Sequence, residues 1–153
     1  MTYLIGDNPI CTKAVNLLSN VLEKEYLLYH KAKAYTVGID IQGLPFLSSV
    51  CSTQVDATKE LLFEVAAVMQ QFNALPYITR TTFLQAREIT INDKELIPLE
   101  RLESLKPLHL QLLAQLSAIT SFEYVKNTHQ GLASFLCQLL DRHNVLVRYL
   151  SYS

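Results

Sequence analysis

The sequence predicts an all-α fold built on four long helices, read as a four-helix bundle. Only four Gly and five Pro punctuate its 153 residues, which suits long helices joined by few connections. Within each long segment apolar residues recur at spacings of three and four, the period of a helix with one buried face. The length is that of a single domain, residues 1–153, able to bury its own core.

Taken in order, a first helix is expected from about Thr12 to Val37, with Leu18, Val21, Leu22, Leu28, Ala32 and Tyr35 on one stripe. GIDIQGLP, with Gly38, Gly43 and Pro45, breaks it. A second helix follows from about Phe46 to Asn73, ending before Pro76. The segment ITRTTFLQAREI holds one short helix. TINDKELIP reads as a loop in which Asn92 or Asp93 caps a helix. The third long helix covers roughly Leu99 to Tyr124. Pro107 must sit near its true start or bend it, because a mid-helix proline removes a backbone donor. After VKNTHQG the fourth long helix runs from Gly131 to Tyr149, with Leu132, Leu136, Leu139, Leu146 and Leu150 in register.

Half of the residues are hydrophobic and 18% are charged, against about a quarter in an average chain. Every apolar run is interrupted well before the roughly 18 residues a membrane helix needs. Surplus apolar surface of this kind predicts a buried subunit interface, hence a homo-oligomer. The formal charge of −1 gives no global basic field for nucleic acid. Neither end supplies a basic tail, so no DNA binding is expected. The opening MTYLIGDNPI lacks a basic and apolar leader, and Cys11, Cys51 and Cys137 fit no zinc or CxxC spacing. The expectation is a cytoplasmic chain with reduced thiols and no membrane segment.

Residues 62–76, LFEVAAVMQQFNALP, carry one charge, Glu64. At about 100° per residue, Leu62, Val65, Met69 and Phe72 fall in one narrow sector, the expected core. Phe63 and Ala67 fall on nearly the opposite side, among Asp56, Lys59, Glu60 and Gln70. An aromatic ring turned away from its own core predicts a second packing surface.

This stretch resembles the second-helix signature of the Dps family, the miniferritins that oxidise and store iron. The family pattern runs apolar, Asp, any, apolar, small, Glu, Arg, three free positions, apolar, Gly or Asn, two free positions, Pro. Leu62, Val65, Ala66, Phe72, Asn73 and Pro76 match it. Phe63 stands where Asp belongs, Ala67 where Glu does and Val68 where Arg does. Upstream, YTVGIDIQGLPFLS is similar to the family's YHWN run. Tyr35 and Leu47 match, while Thr36 and Ser48 replace its two histidines. The last segment, GLASFLCQLLDRHNVLVRYL, resembles the family's final helix, with Ala133, Leu136, His143 and Leu150 matching and Arg148 where Trp is usual.

The resemblance implies a ferritin-like bundle with a short extra helix between helices 2 and 3, assembled as a dodecamer. In the family, two histidines from one subunit and an Asp and Glu from its mate bind iron across an interface. Fe(II) wants imidazole and carboxylate donors, and Thr36, Ser48, Phe63 and Ala67 offer neither. The implied function is therefore a non-catalytic shell or interaction protein without a cofactor, open to co-assembly with an active relative. Tyr35, Phe63 and Ala67 are the expected interface residues, since burying one Phe is worth roughly 1.5–3 kcal/mol. The region that lines the family's iron pores offers His129 and Ser134, with Lys126 close by, and no carboxylate between Glu123 and Asp141. The alternative is a working miniferritin, with iron bound by displaced ligands. The weak candidates are Glu60, Glu64, His109 and His143, although no Glu stands three residues before any His. His143, on the apolar stripe of the last helix, is expected foremost as a core histidine bonded to a neighbour. Tyr26, Tyr29 and Tyr35 are read as packing residues.

Overall fold

The computed structural model of the chain describes residues 9–41, 45–92, 97–120 and 130–151. These are α-helical almost throughout, with no strand among them. The helices are α1 (Pro9–Ile41), α2 (Pro45–Gln71), α3 (Arg80–Asn92), α4 (Pro98–Glu103), α5 (Leu105–Thr120) and α6 (Gln130–Ser151). α1 packs on α2 and α5, and α6 packs on α5 and α2. Helices α1 and α6 therefore stand diagonally across one core, as do α2 and α5. The short α3 lies against α1.

Pro9, Pro45 and Pro98 each open a helix, where a missing amide hydrogen costs no intrahelical bond. α1 runs through Gly38 to Ile41 rather than stopping at Val37. A glycine costs a helix about 1 kcal/mol against alanine but does not forbid it. α2 ends in a left-handed cap. Asn73 has φ 57°, Ala74 N–H donates to Met69 O at 3.1 Å and Asn73 N–H to Gln70 O at 2.9 Å. This pair of reversed bonds satisfies the last carbonyls of the helix, and Asn tolerates the left-handed position better than other residues with a Cβ.

The expected third long helix is divided. α4 stops at Glu103, Ser104 forms a turn, and α5 begins with Pro107 in its first turn. Pro107 has no hydrogen to donate to the Glu103 carbonyl and its ring crowds that group, so the ladder cannot pass this point. Ser104 is tied to α1 instead. Its carbonyl accepts from Lys31 Nζ at 3.3 Å and its hydroxyl reaches Tyr35 at 3.3 Å. The expected cap at Asn92 is corrected: Asn92 is the last residue of α3, and Ile97 precedes α4 without a side-chain cap. Asp93 and residues 121–124 lie outside the described residues.

α3 has the cap that its sequence allows. Thr79 Oγ1 accepts from the Thr82 amide at 3.2 Å, the standard reach from a helix N-cap to its third residue. Glu23 of α1 accepts from Thr79 N at 3.2 Å and from Thr82 Oγ1 at 2.6 Å. A carboxylate at a helix N-terminus is favoured by the exposed amides and the helix dipole.

The stripes expected on α1 and α6 are buried in full. On α2 the core line is Leu61, Val65, Met69 and Phe72. Leu61 takes the place expected of Leu62, which is half-buried at the flank. Among the described residues, no helix is long and apolar enough to cross a membrane.

Candidate functional site

Because α2 turns Leu61, Val65 and Met69 inward, its outward face carries Asp56, Lys59, Glu60, Phe63, Ala67 and Gln70, all exposed. Phe63 is 62% exposed. Thr36 of α1 is knitted into the core edge: its hydroxyl donates to Ala32 O at 3.0 Å and lies 3.0 Å from Cys51 Sγ. Ser48 is half-buried on α2. Two hydroxyls, a phenyl ring and a methyl group do not fit Fe(II), which wants carboxylate and imidazole donors. One interface expectation is corrected. Tyr35 is 3% exposed and packs within its own chain, beneath the α4–α5 turn.

The displaced metal candidates are not brought together as one set of four. Glu60 and Glu64 lie one turn apart and both hold Arg142 of α6, Glu60 at 3.2 Å and Glu64 through a direct hydrogen bond. His109 and His143 are fully buried and bonded to each other instead. Among the described residues, no group of three or more His, Cys, Asp or Glu side chains is arranged to hold a metal. Ser134 is exposed on the second turn of α6, and His129 lies outside the described residues.

The histidines belong to a polar chain through the centre of the molecule, with one residue from each long helix. Glu25 of α1, Gln54 of α2, His109 of α5 and His143 of α6 are all 0% exposed. Gln54 Nε2 donates to Leu146 O at 3.1 Å. The Gln54 amide oxygen meets His109 Nε2 at 2.7 Å, the two Nδ1 atoms of His109 and His143 lie 2.9 Å apart, and His143 Nε2 bonds Glu25 Oε1. Each contact joins different helices, and two of the three side-chain links span a diagonal of the bundle.

These bonds fix where the protons are. A carbonyl can only accept, so the Leu146 oxygen orients the Gln54 amide and turns its oxygen to His109. That oxygen also only accepts, so His109 Nε2 carries a hydrogen. Burial first, and the adjacent His143 second, push His109 down to about 3, so the ring is neutral and its Nδ1 is an acceptor. His143 Nδ1 must then be the donor. The His143–Glu25 contact holds one more proton, as imidazolium with carboxylate or imidazole with carboxylic acid. All four ring nitrogens are engaged, so a metal would have to break the chain to find a lone pair. Among the described residues, Glu25 Oε2 is buried without a hydrogen-bond partner, and the carboxyl is held through its other oxygen.

No family model, curated protein or solved structure matches the chain.

Sequence reasoning placed His143 in the core, but it missed Glu25 and Gln54 and left His109 with the wrong companions. A signal was present. Glu25 falls between Leu22 and Leu28, Gln54 between Cys51 and Leu61, His109 between Leu105 and Leu112, and His143 between Leu139 and Leu146. Each stripe therefore contains one long polar residue at a core position. Four such interruptions on four helices imply that they meet, because a buried polar group must find a partner.

Proposed function

We propose that the chain is a ferritin-like four-helix subunit, similar to the Dps family, that forms a homo-oligomer and has lost ferroxidase chemistry. Four long helices, α1, α2, α5 and α6, with a short α3 after the second, support the architectural part of this reading. Its role is structural or interactive: the outward face of α2 packs on another copy, in a dodecamer if the resemblance holds, and co-assembly with an active relative extends the same contact. The observation that carries the proposal is Phe63, 62% exposed beside Ala67 on that outward face. Apolar groups stand where a shared iron site would need two carboxylates.

The competing reading is iron oxidation through displaced ligands. It is disfavoured because Arg142 occupies Glu60 and Glu64, while His109 and His143 bond to each other and to Gln54 and Glu25.

Aerobic Fe(II) oxidation by the purified chain, set beside light scattering, tests both parts. The expected result is no catalysed phase above buffer and a mass well above the 17.4 kDa of one chain. A fast, saturable oxidation phase overturns the non-catalytic reading, and a mass of one chain overturns the assembly.

A further inference from the structure

The central polar chain spends all its hydrogens. From the Leu146 carbonyl outward each donor faces one acceptor: Gln54 Nε2 to Leu146 O, His109 Nε2 to Gln54 Oε1, His143 Nδ1 to His109 Nδ1. The single remaining proton lies between His143 Nε2 and Glu25 Oε1. One ring nitrogen in this line, His109 Nδ1, is held as an acceptor that the next proton would remove. Once protonated, it would confront the His143 Nδ1–H as a second donor across a dry 2.9 Å gap.

We propose that this crossing is an acid-sensitive lock on the α5–α6 seam: one further proton at His109 Nδ1 sets two donors against each other and opens the seam locally. Among the described residues, no carboxylate is bonded to His109 itself. Glu25 of α1 is the carboxylate among them bonded to the pair, and it reaches His143 rather than His109. α2 faces His109 with the uncharged Gln54, and its Glu60 and Glu64 are held outside by Arg142 of α6. Lys31 of α1 is directed at the Ser104 carbonyl. His143 lies next to His109 and acts against a positive charge on it.

The seam is also the right place for such a device. α6 is covered laterally mainly by α5, so separating these two helices disturbs the long α1–α2 pair least. Local opening of one helix pair is a cheaper response than global unfolding.

Backbone deuterium exchange of the whole chain, measured by mass spectrometry from pH 7.5 to 4.5 and corrected for intrinsic exchange, tests the lock. The expected result is that protection in α5 and α6 falls about tenfold per pH unit below roughly pH 6, the linkage of one proton, with α5 and α6 less protected than α1 and α2 throughout. His109→Gln keeps an acceptor toward His143 and a donor toward Gln54 without a titrating ring, and it should abolish that slope. A wild-type profile flat in pH, or an undiminished slope in His109→Gln, overturns the proposal. Nitrogen-15 shifts of the histidine rings in the unaltered protein give a second readout that does not depend on the variant folding. They should report a neutral His109 with its hydrogen on Nε2 until the α5 and α6 amides open. A His109 ring that titrates near the ordinary histidine value while those amides stay protected overturns the lock as well.

Discussion

Thr82 Oγ1 donates to Glu23 Oε2 at 2.6 Å, and through that bond the start of α3 is held on the side of α1. The same carboxylate takes the Thr79 amide. Burial pushes the Glu23 carboxyl up, but the Thr82 and Thr79 hydrogen bonds together hold it below its usual value. Glu23→Ala should therefore lower stability by about 1–2 kcal/mol and release protection in α3 first. The carboxyl is lowered in the folded state, so its contribution is present above the ordinary glutamate range and fades as pH falls through the lower folded value. Urea midpoints at pH 7 and pH 4 check this: the gap between wild type and Glu23→Ala should narrow in acid.

Removing one member of the central chain strands the rest. Glu25→Leu leaves His143 with a buried ring nitrogen and no partner, and should cost roughly 3–5 kcal/mol. Replacing Glu25, Gln54, His109 and His143 together by leucine should recover most of that loss, because no polar atom is then left unpaired. Chemical denaturation of the single and quadruple variants decides the matter. A quadruple variant weaker than Glu25→Leu would mean that the chain contributes net stability.

Acid should destabilise the whole fold in a defined window. His109 is lowered to about 3 by burial and by His143, against about 6.5 for a free histidine. Between these values the unfolded chain binds a proton that the folded chain refuses, so stability falls as pH drops below about 6.5, at up to about 1.4 kcal/mol per pH unit. The contribution is intact above that range and spent near pH 3. Denaturation midpoints from pH 7.5 to 4 should trace this slope in the wild type and a shallower one in His109→Gln.

Asn73 tests the backbone. Its φ of 57° suits glycine and tolerates asparagine, so Asn73→Gly should change stability by only a few tenths of a kcal/mol, and Asn73→Ala should cost about 1 kcal/mol. Thermal melts of the two variants should differ in that order.

Phe63 tests the proposed assembly. Phe63→Asp places a carboxylate on an exposed position of α2, outside the buried line of Leu61, Val65 and Met69, so the subunit should keep its helical content. Light scattering should then report a smaller particle than the wild type. An unchanged mass would place any subunit contact elsewhere.

Much of the fold was legible because helical burial is a periodic property. Leu18 to Tyr35 on α1 and Leu132 to Leu150 on α6 are spaced at three and four, and both stripes are buried as the spacing requires. The outward turn of Phe63 followed from the same geometry. Pro107 also announced a constraint in the sequence, but whether it bent a helix or started one was decided by the contacts of Ser104 with Lys31 and Tyr35. Those partners are about seventy residues away, beyond the reach of any local pattern.

An all-helical chain with one inward apolar line on each long helix could be read from residue spacing alone, because a regular backbone repeats its own geometry every few residues. That Glu25, Gln54, His109 and His143 meet in the core came from the packing of the helices, since the order in which helices stand around a centre depends on long-range contacts. Hydrogen-bond polarity then did what no spacing encodes: it made His109 Nδ1 an acceptor and His143 Nδ1 a donor.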